Sequence, residues 1–203
     1  MSGTYEYYEQ MKALARQKRL QYSLQEEPVS LSDIRKIYKA EGIKIKIQDR
    51  GLKNLKAAYF NDDDGCDVLL NKKIPREPRI FALAHELKHH YVDRERLQTT
   101  VPCCLAYNEE PLIEKTAEVF AAEFIWPESQ FIQSVRTFGI TIANCTPESV
   151  VRFKRVHKDM PVSYRFIVKR LEWFRMISKG AFDKVRFKNL EYKIFGLPYY
   201  LIK

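Results

Sequence analysis

The chain has 203 residues, 45% of them hydrophobic and 30% charged, so it carries enough apolar mass to bury a core and does not have the make-up of a disordered chain. Seven glycines and nine prolines exclude a fibrous or linker-rich protein, and no apolar run approaches the ~20 residues of a membrane span. The net charge of +9 is lopsided: residues 146–203 hold 14 Lys and Arg against 5 Asp and Glu, while residues 1–145 sum to zero.

The four cysteines (Cys66, Cys103, Cys104 and Cys145) form no CxxC pair, and a chain of this size needs no disulfide staples. Residues 5–22 are charged and read as a loosely amphipathic helix, not as an apolar signal segment. These features predict a soluble, cytoplasmic protein with no membrane partner. Residues 30–40 read as a helix, with Ser30 as cap, Asp33 three residues on and Gly42 beyond the end. Ile43, Ile45 and Ile47 alternate with lysines, which predicts a strand with one buried face. Residues 57–60 and 66–70 are two further strands, joined as a hairpin by the acidic turn that ends at Gly65.

Pro75 and Pro78 punctuate the entry to a helix over 79–92, whose core stripe is Ile80, Leu83, Ala84, Leu87 and Tyr91. A loop over 93–110 leads to a helix over 111–126, with Pro111 suited to its first position and Pro127 closing it. The expected fold is α+β, with a three-stranded sheet. Beyond Pro127 the chain turns helical and basic. Thr146, Pro147 and Glu148 start one helix, and Ser163 starts another whose apolar face is Tyr164, Ile167, Val168, Leu171 and Phe174. Residues 180–203 read as a mixed tail with a β-hairpin. The charge step suggests a division into 1–145 and 146–203.

The sharpest feature is His85-Glu86-Leu87-Lys88-His89. Positions i and i+4 of a helix share a face, so both imidazoles reach one ion, and Glu86 can approach a metal-bound water without being a ligand. Three of the four histidines (His85, His89 and His90) fall in this turn. Zinc held this way takes a third protein ligand and keeps a fourth position open for water. His157 lies far downstream among basic residues, and Cys103 and Cys104 sit on the intervening loop. The next helix offers two acids one turn apart, Glu114 and Glu118, accompanied by Ala117, Ala121 and Ala122, which allow close helix packing. A histidine pair and a glutamate from two helices on one ion is the gluzincin arrangement.

The segment from Phe81 to His90, taken with Glu114, Ala117, Phe120, Ala121, Ala122 and Pro127, resembles the ImmA/IrrE-type metallopeptidases. The resemblance implies a small zincin-like fold: its motifs span 79–127 and the likeness extends over about 30–178, with the catalytic domain assigned to 1–145. It places Glu114 on the glutamate ligand beside His85 and His89, with one zinc per chain; manganese also suits such a donor set. Thr116 departs from the motif's second acid. Glu118 stands where the family usually has Asn or Asp, so it is expected to support a ligand histidine from behind, the alternative being that it is itself the ligand. His90, from its place in the motif, is either a bystander or a further outer donor. Family members are intracellular zinc peptidases that cleave a neighbouring helix-turn-helix repressor. A peptidase whose substrate is a repressor encoded nearby is therefore the implied function, with Glu86 as general base. Tyr91, His90 and Tyr107 are candidate oxyanion donors, and the sequence does not choose among them.

The basic end supports a different reading. The two helices flanking residues 158–162 match a helix-turn-helix in length, and Arg165, Lys169 and Arg170 could meet phosphates from the second helix. The alternatives are a plain helical hairpin, or a partner-binding module of a two-gene system in which the metal is structural.

Overall fold

The computed structural model describes residues 2–24, 28–49, 52, 55–95, 111–156 and 161–196. These fall into two compact units, Met1–Pro127 and Glu128–Lys203. The charge step at 145/146 is a feature of composition that lies inside the second unit. None of the described helices is long and apolar enough to cross a membrane.

The first unit opens with α1 (Ser2–Gln21) and α2 (Leu31–Ala40). Ser30 and Asp33 form the expected reciprocal cap, each side chain meeting the other's backbone N–H. Three strands follow, β1 (Lys44–Gln48), β2 (Ala57–Asp62) and β3 (Gly65–Asn71), in the order β1-β3-β2. β3 runs parallel to β1 and antiparallel to β2, so Val68 at its centre lies between Ile45 and Tyr59. The hairpin turns tightly at Asp63 and Asp64, with Gly65 at φ +118°. β3 alternates as a half-buried strand should, with Cys66, Val68 and Leu70 inward. β1 departs from expectation: Ile43 is buried just ahead of it, but Ile47 is 50% exposed. The reason is layering. The helix α3 packs under β2 and β3, whereas β1, at the edge, meets α2.

α3 (Arg76–Lys88) continues without a break into a π-helical turn, His89–Asp93. Ile80, Leu83, Ala84 and Leu87 are buried along it, and Tyr91 is half-buried. α4 (Pro111–Ile125) starts at its proline as expected and lies between α3 and α1. Ala117 and Ala121 are fully buried and let the backbones approach, while Ala122 points off this face and is half-buried. Phe120 and Phe124 stack at 5.5 Å between centroids. The carboxyl end of α4 is closed by Arg19 of α1, whose Nη1 donates to the Phe124 carbonyl at 2.8 Å.

The second unit contains α5 (Glu128–Thr137), α6 (Pro147–Val156), α7 (Tyr164–Trp173) and α8 (Phe187–Phe195). Aromatic pairs form its core: Phe131 stacks on Phe174 at 5.9 Å, Phe153 meets Phe138 edge-on at 5.5 Å, and Tyr164 stacks on Phe187 at 4.9 Å. Ser163 caps α7 by accepting from the Phe166 N–H. The β-hairpin expected in the tail is not what residues 180–196 form. Phe187, Leu190, Glu191 and Ile194 are spaced i, i+3, i+4, i+7, a helical period, and α8 ends at Gly196 in the left-handed conformation, φ +76°. The remainder of that tail lies outside the described residues.

Candidate metal centre

Pro75 and the first-turn acid Glu77 start α3, and the helix then presents His85 and His89 one turn apart. Their ring centroids are 5.0 Å apart and their Nε2 atoms 3.2 Å apart. α4, held close by Ala117 and Ala121, brings Glu114 from its first turn: Oε2 lies 3.1 Å from His85 Nε2 and Oε1 3.6 Å from His89 Nε2. One donor atom from each of the three lies within 4.8 Å of the others. Metal–ligand bonds of about 2.0–2.2 Å meeting at tetrahedral angles separate their donors by about 3.3 Å. The observed spacings bracket that edge, so the residues fit a zinc-sized ion. His89 and Glu114 are enclosed, with side chains 0% and 7% exposed, while His85 is the most open at 14%. An approach to the cluster from the His85 side is therefore the least obstructed.

The cluster has a backing that the sequence reading missed. His89 Nδ1 donates to Asp93 Oδ2 at 2.7 Å, which leaves its Nε2 lone pair facing the cluster. Lys88, wholly buried, donates to the same oxygen at 2.7 Å. Burial alone would raise the Asp93 carboxyl, but the bonds from His89 and Lys88 outweigh it and hold it below its ordinary value. Burial likewise opposes ionisation of Glu114, and the bond and charge of His85, with His89 and Lys88, carry it below the ordinary range. A carboxylate one turn past the second histidine was the available signal for Asp93, and the π-helical turn keeps it aimed at His89.

Glu86 is 2% exposed on the same helix, next to His85. Burial, then the negative charge of Glu86, push the Tyr38 hydroxyl up, and that hydroxyl donates to the Leu83 carbonyl at 2.8 Å. Glu118 is not behind the ligands. One turn along α4 it passes the cluster, its side chain is 45% exposed, and it pairs with Lys115 at 2.7 Å; Asp93 occupies the supporting position expected of it. His90 also turns elsewhere. Its Nδ1 lies 3.1 Å from the Tyr59 hydroxyl and its Nε2 3.7 Å from Glu41, tying the π-helical turn to β2 and to the end of α2. Burial pushes the His90 pKa down, against the pull of Glu41. Of the three oxyanion candidates, His90 is thus engaged with Tyr59, and the Tyr91 hydroxyl is buried and pushed up by burial and the charge of Glu41. Tyr107 lies outside the described residues, as do Cys103, Cys104 and His157.

The basic trio of the second unit does not form a row. Arg165 is exposed, and Lys169 is half-exposed and paired with Glu172 at 2.7 Å. Arg170 is 6% exposed and lies among Phe131, Phe166 and Phe174 at 5.6, 5.9 and 5.7 Å from their centroids, with Glu128 at 3.7 Å. The expected phosphate contact from Arg170 is therefore corrected. It falls on the buried stripe because Ile167, Arg170, Leu171 and Phe174 share one helical face. α7 also buries Tyr164, Phe166, Ile167, Val168 and Leu171, which leaves only a narrow free stripe for a recognition helix.

Among curated proteins no match to the chain is found. A family model does match: the Peptidase_M78 model, described as the IrrE N-terminal-like domain, covers residues 38–172. That span includes the sheet, both helices that carry the cluster, and the second unit as far as α7. With about two thirds of its length in that match, the chain belongs to the IrrE N-terminal-like family of ImmA/IrrE-type metallopeptidases.

Proposed function

We propose that the protein is a zinc-dependent endopeptidase that makes limited cuts in a protein substrate, a helix-turn-helix repressor encoded nearby being the leading candidate. The observation that carries this reading is the convergence of His85, His89 and Glu114 at near-tetrahedral spacing, with a buried carboxylate, Glu86, on the same helix. Zinc at such a site lowers the pKa of a bound water to about 7 and polarises the scissile carbonyl; manganese suits the same donors. Glu86 takes the proton of the attacking water and delivers it to the leaving amine. Asp93 keeps His89 in the tautomer that presents Nε2. The substrate backbone adds as a strand to an edge of the small sheet. The repressor itself is suggested by the family resemblance, and cytoplasmic action accompanies that suggestion.

The exposed basic side chains of the second unit, Arg152, Arg165, Arg175, Lys179 and Arg186 among them, favour a recruiting role toward an acidic protein surface or repressor-bound DNA. The competing reading keeps the metal as structural and makes the chain a partner-binding or DNA-binding module. One experiment separates the two. The protein is incubated with the product of the adjacent gene, with and without chelator, and the fragments are read by mass spectrometry. Chelator-sensitive cleavage by wild type, lost in Glu86→Gln, is the expected outcome. A stable complex without cleavage would favour the module.

A further inference from the structure

Lys88 is neither a ligand nor the base, yet among the described residues of the first unit it is the most deeply buried Lys or Arg, at 0% exposure. Lysine is almost never fully buried unless its ammonium is paired. Here Nζ lies 2.7 Å from Asp93 Oδ2 and 3.3 Å from the Ile113 carbonyl oxygen. The Asp93 oxygen is the one that accepts from His89 Nδ1. Ile113 immediately precedes Glu114, and its carbonyl also accepts from the Thr116 hydroxyl at 2.7 Å. A single ammonium thus joins the partner of one candidate ligand to the backbone beside another, across 25 positions of sequence.

We propose that Lys88 is a positioning residue that clamps the start of α4 to the His89–Asp93 pair and so sets the separation of Glu114 from the two histidines for a divalent cation. The inference rests on the reading of His85, His89 and Glu114 as the metal-binding set. The physical ground is that the ligands come from two helices whose relative placement decides donor spacing, and a buried charge-assisted contact is short and geometrically exacting. A lysine serving only as a core ion pair would support folding and leave metal affinity alone.

The test uses the full-length protein and cobalt(II) as probe, with affinity measured by chelator competition and the visible absorption spectrum recording ligand geometry. Lys88→Met is expected to weaken cobalt binding about 10–100-fold, the range typical of lost outer partners, and to change the spectrum. Lys88→Gln, which keeps one donor, should recover part of the loss. If Lys88→Met fails to fold because the buried Asp93 carboxylate keeps only His89 as partner, the comparison moves to Asp93→Asn against Lys88→Met/Asp93→Asn, where no buried carboxylate depends on Lys88. The double variant should bind several-fold more weakly than Asp93→Asn, because the contact to Ile113 is lost as well. Wild-type affinity and spectrum in a folded Lys88→Met protein, or equal affinities in the Asp93→Asn pair, would overturn the proposal. A wild-type protein that binds no cobalt would instead overturn the metal-centre reading beneath it.

Discussion

Both units of this chain bury charged side chains, and they do so in different ways. In the second unit the buried charges are dispersed, each within its own surroundings. Lys154 donates to the Val162 carbonyl at 2.7 Å, Arg170 lies among three phenylalanine rings, and Glu191 faces Arg155 at 3.6 Å. The first unit has such dispersed charges as well, Arg19 on the Phe124 carbonyl and Glu123 facing Arg16 at 2.9 Å. There, however, Glu86, Lys88, His89, Asp93 and Glu114 are also gathered within two adjoining helices, with three donor atoms aimed at one another. Burying charge is costly, and dispersed, closed pairs are how a fold keeps that cost down. Convergence of several such groups is harder to explain as architecture, because lone pairs pointed at each other favour the fold only when a proton or a cation lies between them. Buried charge alone therefore does not mark a site; aim does.

The sharpest way to break this contrast is at Glu86. Glu86→Gln should keep its metal and lose peptide cleavage by at least about 10²-fold, because the shape survives and the base does not. Near-normal cleavage would remove Glu86 from the chemistry. Next in size come the ligands. His89→Ala and Glu114→Ala should each lower zinc content sharply on elemental analysis, whereas Glu118→Ala, altering an exposed carboxylate paired with Lys115, should leave it unchanged. The reverse order for the two glutamates would reassign the third ligand.

The i, i+4 histidine pair was legible because helical periodicity makes two residues into neighbours without reference to the rest of the fold. Glu114 was legible only as one of two acids on the next helix, and the family resemblance chose between them. What separates Glu114 from Glu118 physically is where α4 crosses α3, a tertiary fact that spacing does not encode. Asp93 is within reach of the same i+4 logic, but it lies one turn beyond the motif's second histidine, where the motif itself carries no information. Lys88 could not be read at all: a lysine inside a helix is usually solvated, and only the packed structure buries it. Arg170 differs from expectation for a related reason. The charge of an arginine suggests a solvated or phosphate-facing position, whereas its flat guanidinium and apolar stem also suit a phenylalanine cage on an apolar helix face.

The caged position of Arg170 gives a smaller effect with a sign of its own. Arg170→Ala should destabilise the protein by about 1–3 kcal/mol in a denaturant melt, since it empties the space between Phe131, Phe166 and Phe174. Charge reversal at Arg165 and Lys169 should stay within about 0.5 kcal/mol. The same reversals should slow engagement of an acidic target, most visibly at low salt. Equal stability losses at all three positions would mean that the buried and exposed cations of α7 do not differ as described.

The smallest expected effect is the response of the metal-free protein to acid, to which three groups in and beside the cluster contribute in the same direction. His90 is held below its ordinary 6.5 by burial, so as pH falls the unfolded chain takes up that proton first and stability declines from about pH 6.5 downward. Asp93 and Glu114 are held below their ordinary 3.8 and 4.5, because bonds to His89, Lys88 and His85 outweigh burial. Their contribution is fully present above those ordinary values and is lost as pH falls through the lower folded ones. All three act in the same sense but in separate windows, so the denaturation midpoint should fall in two stages. His90→Gln should flatten the stage that begins near pH 6.5 and leave the more acidic one. Asp93→Asn should do the opposite: its amide has no charge to lose, so the acid stage becomes shallower while the early decline persists. A His90→Gln protein whose midpoint declines below pH 6.5 as steeply as wild type would contradict the assignment, because the early decline would then not be carried by His90.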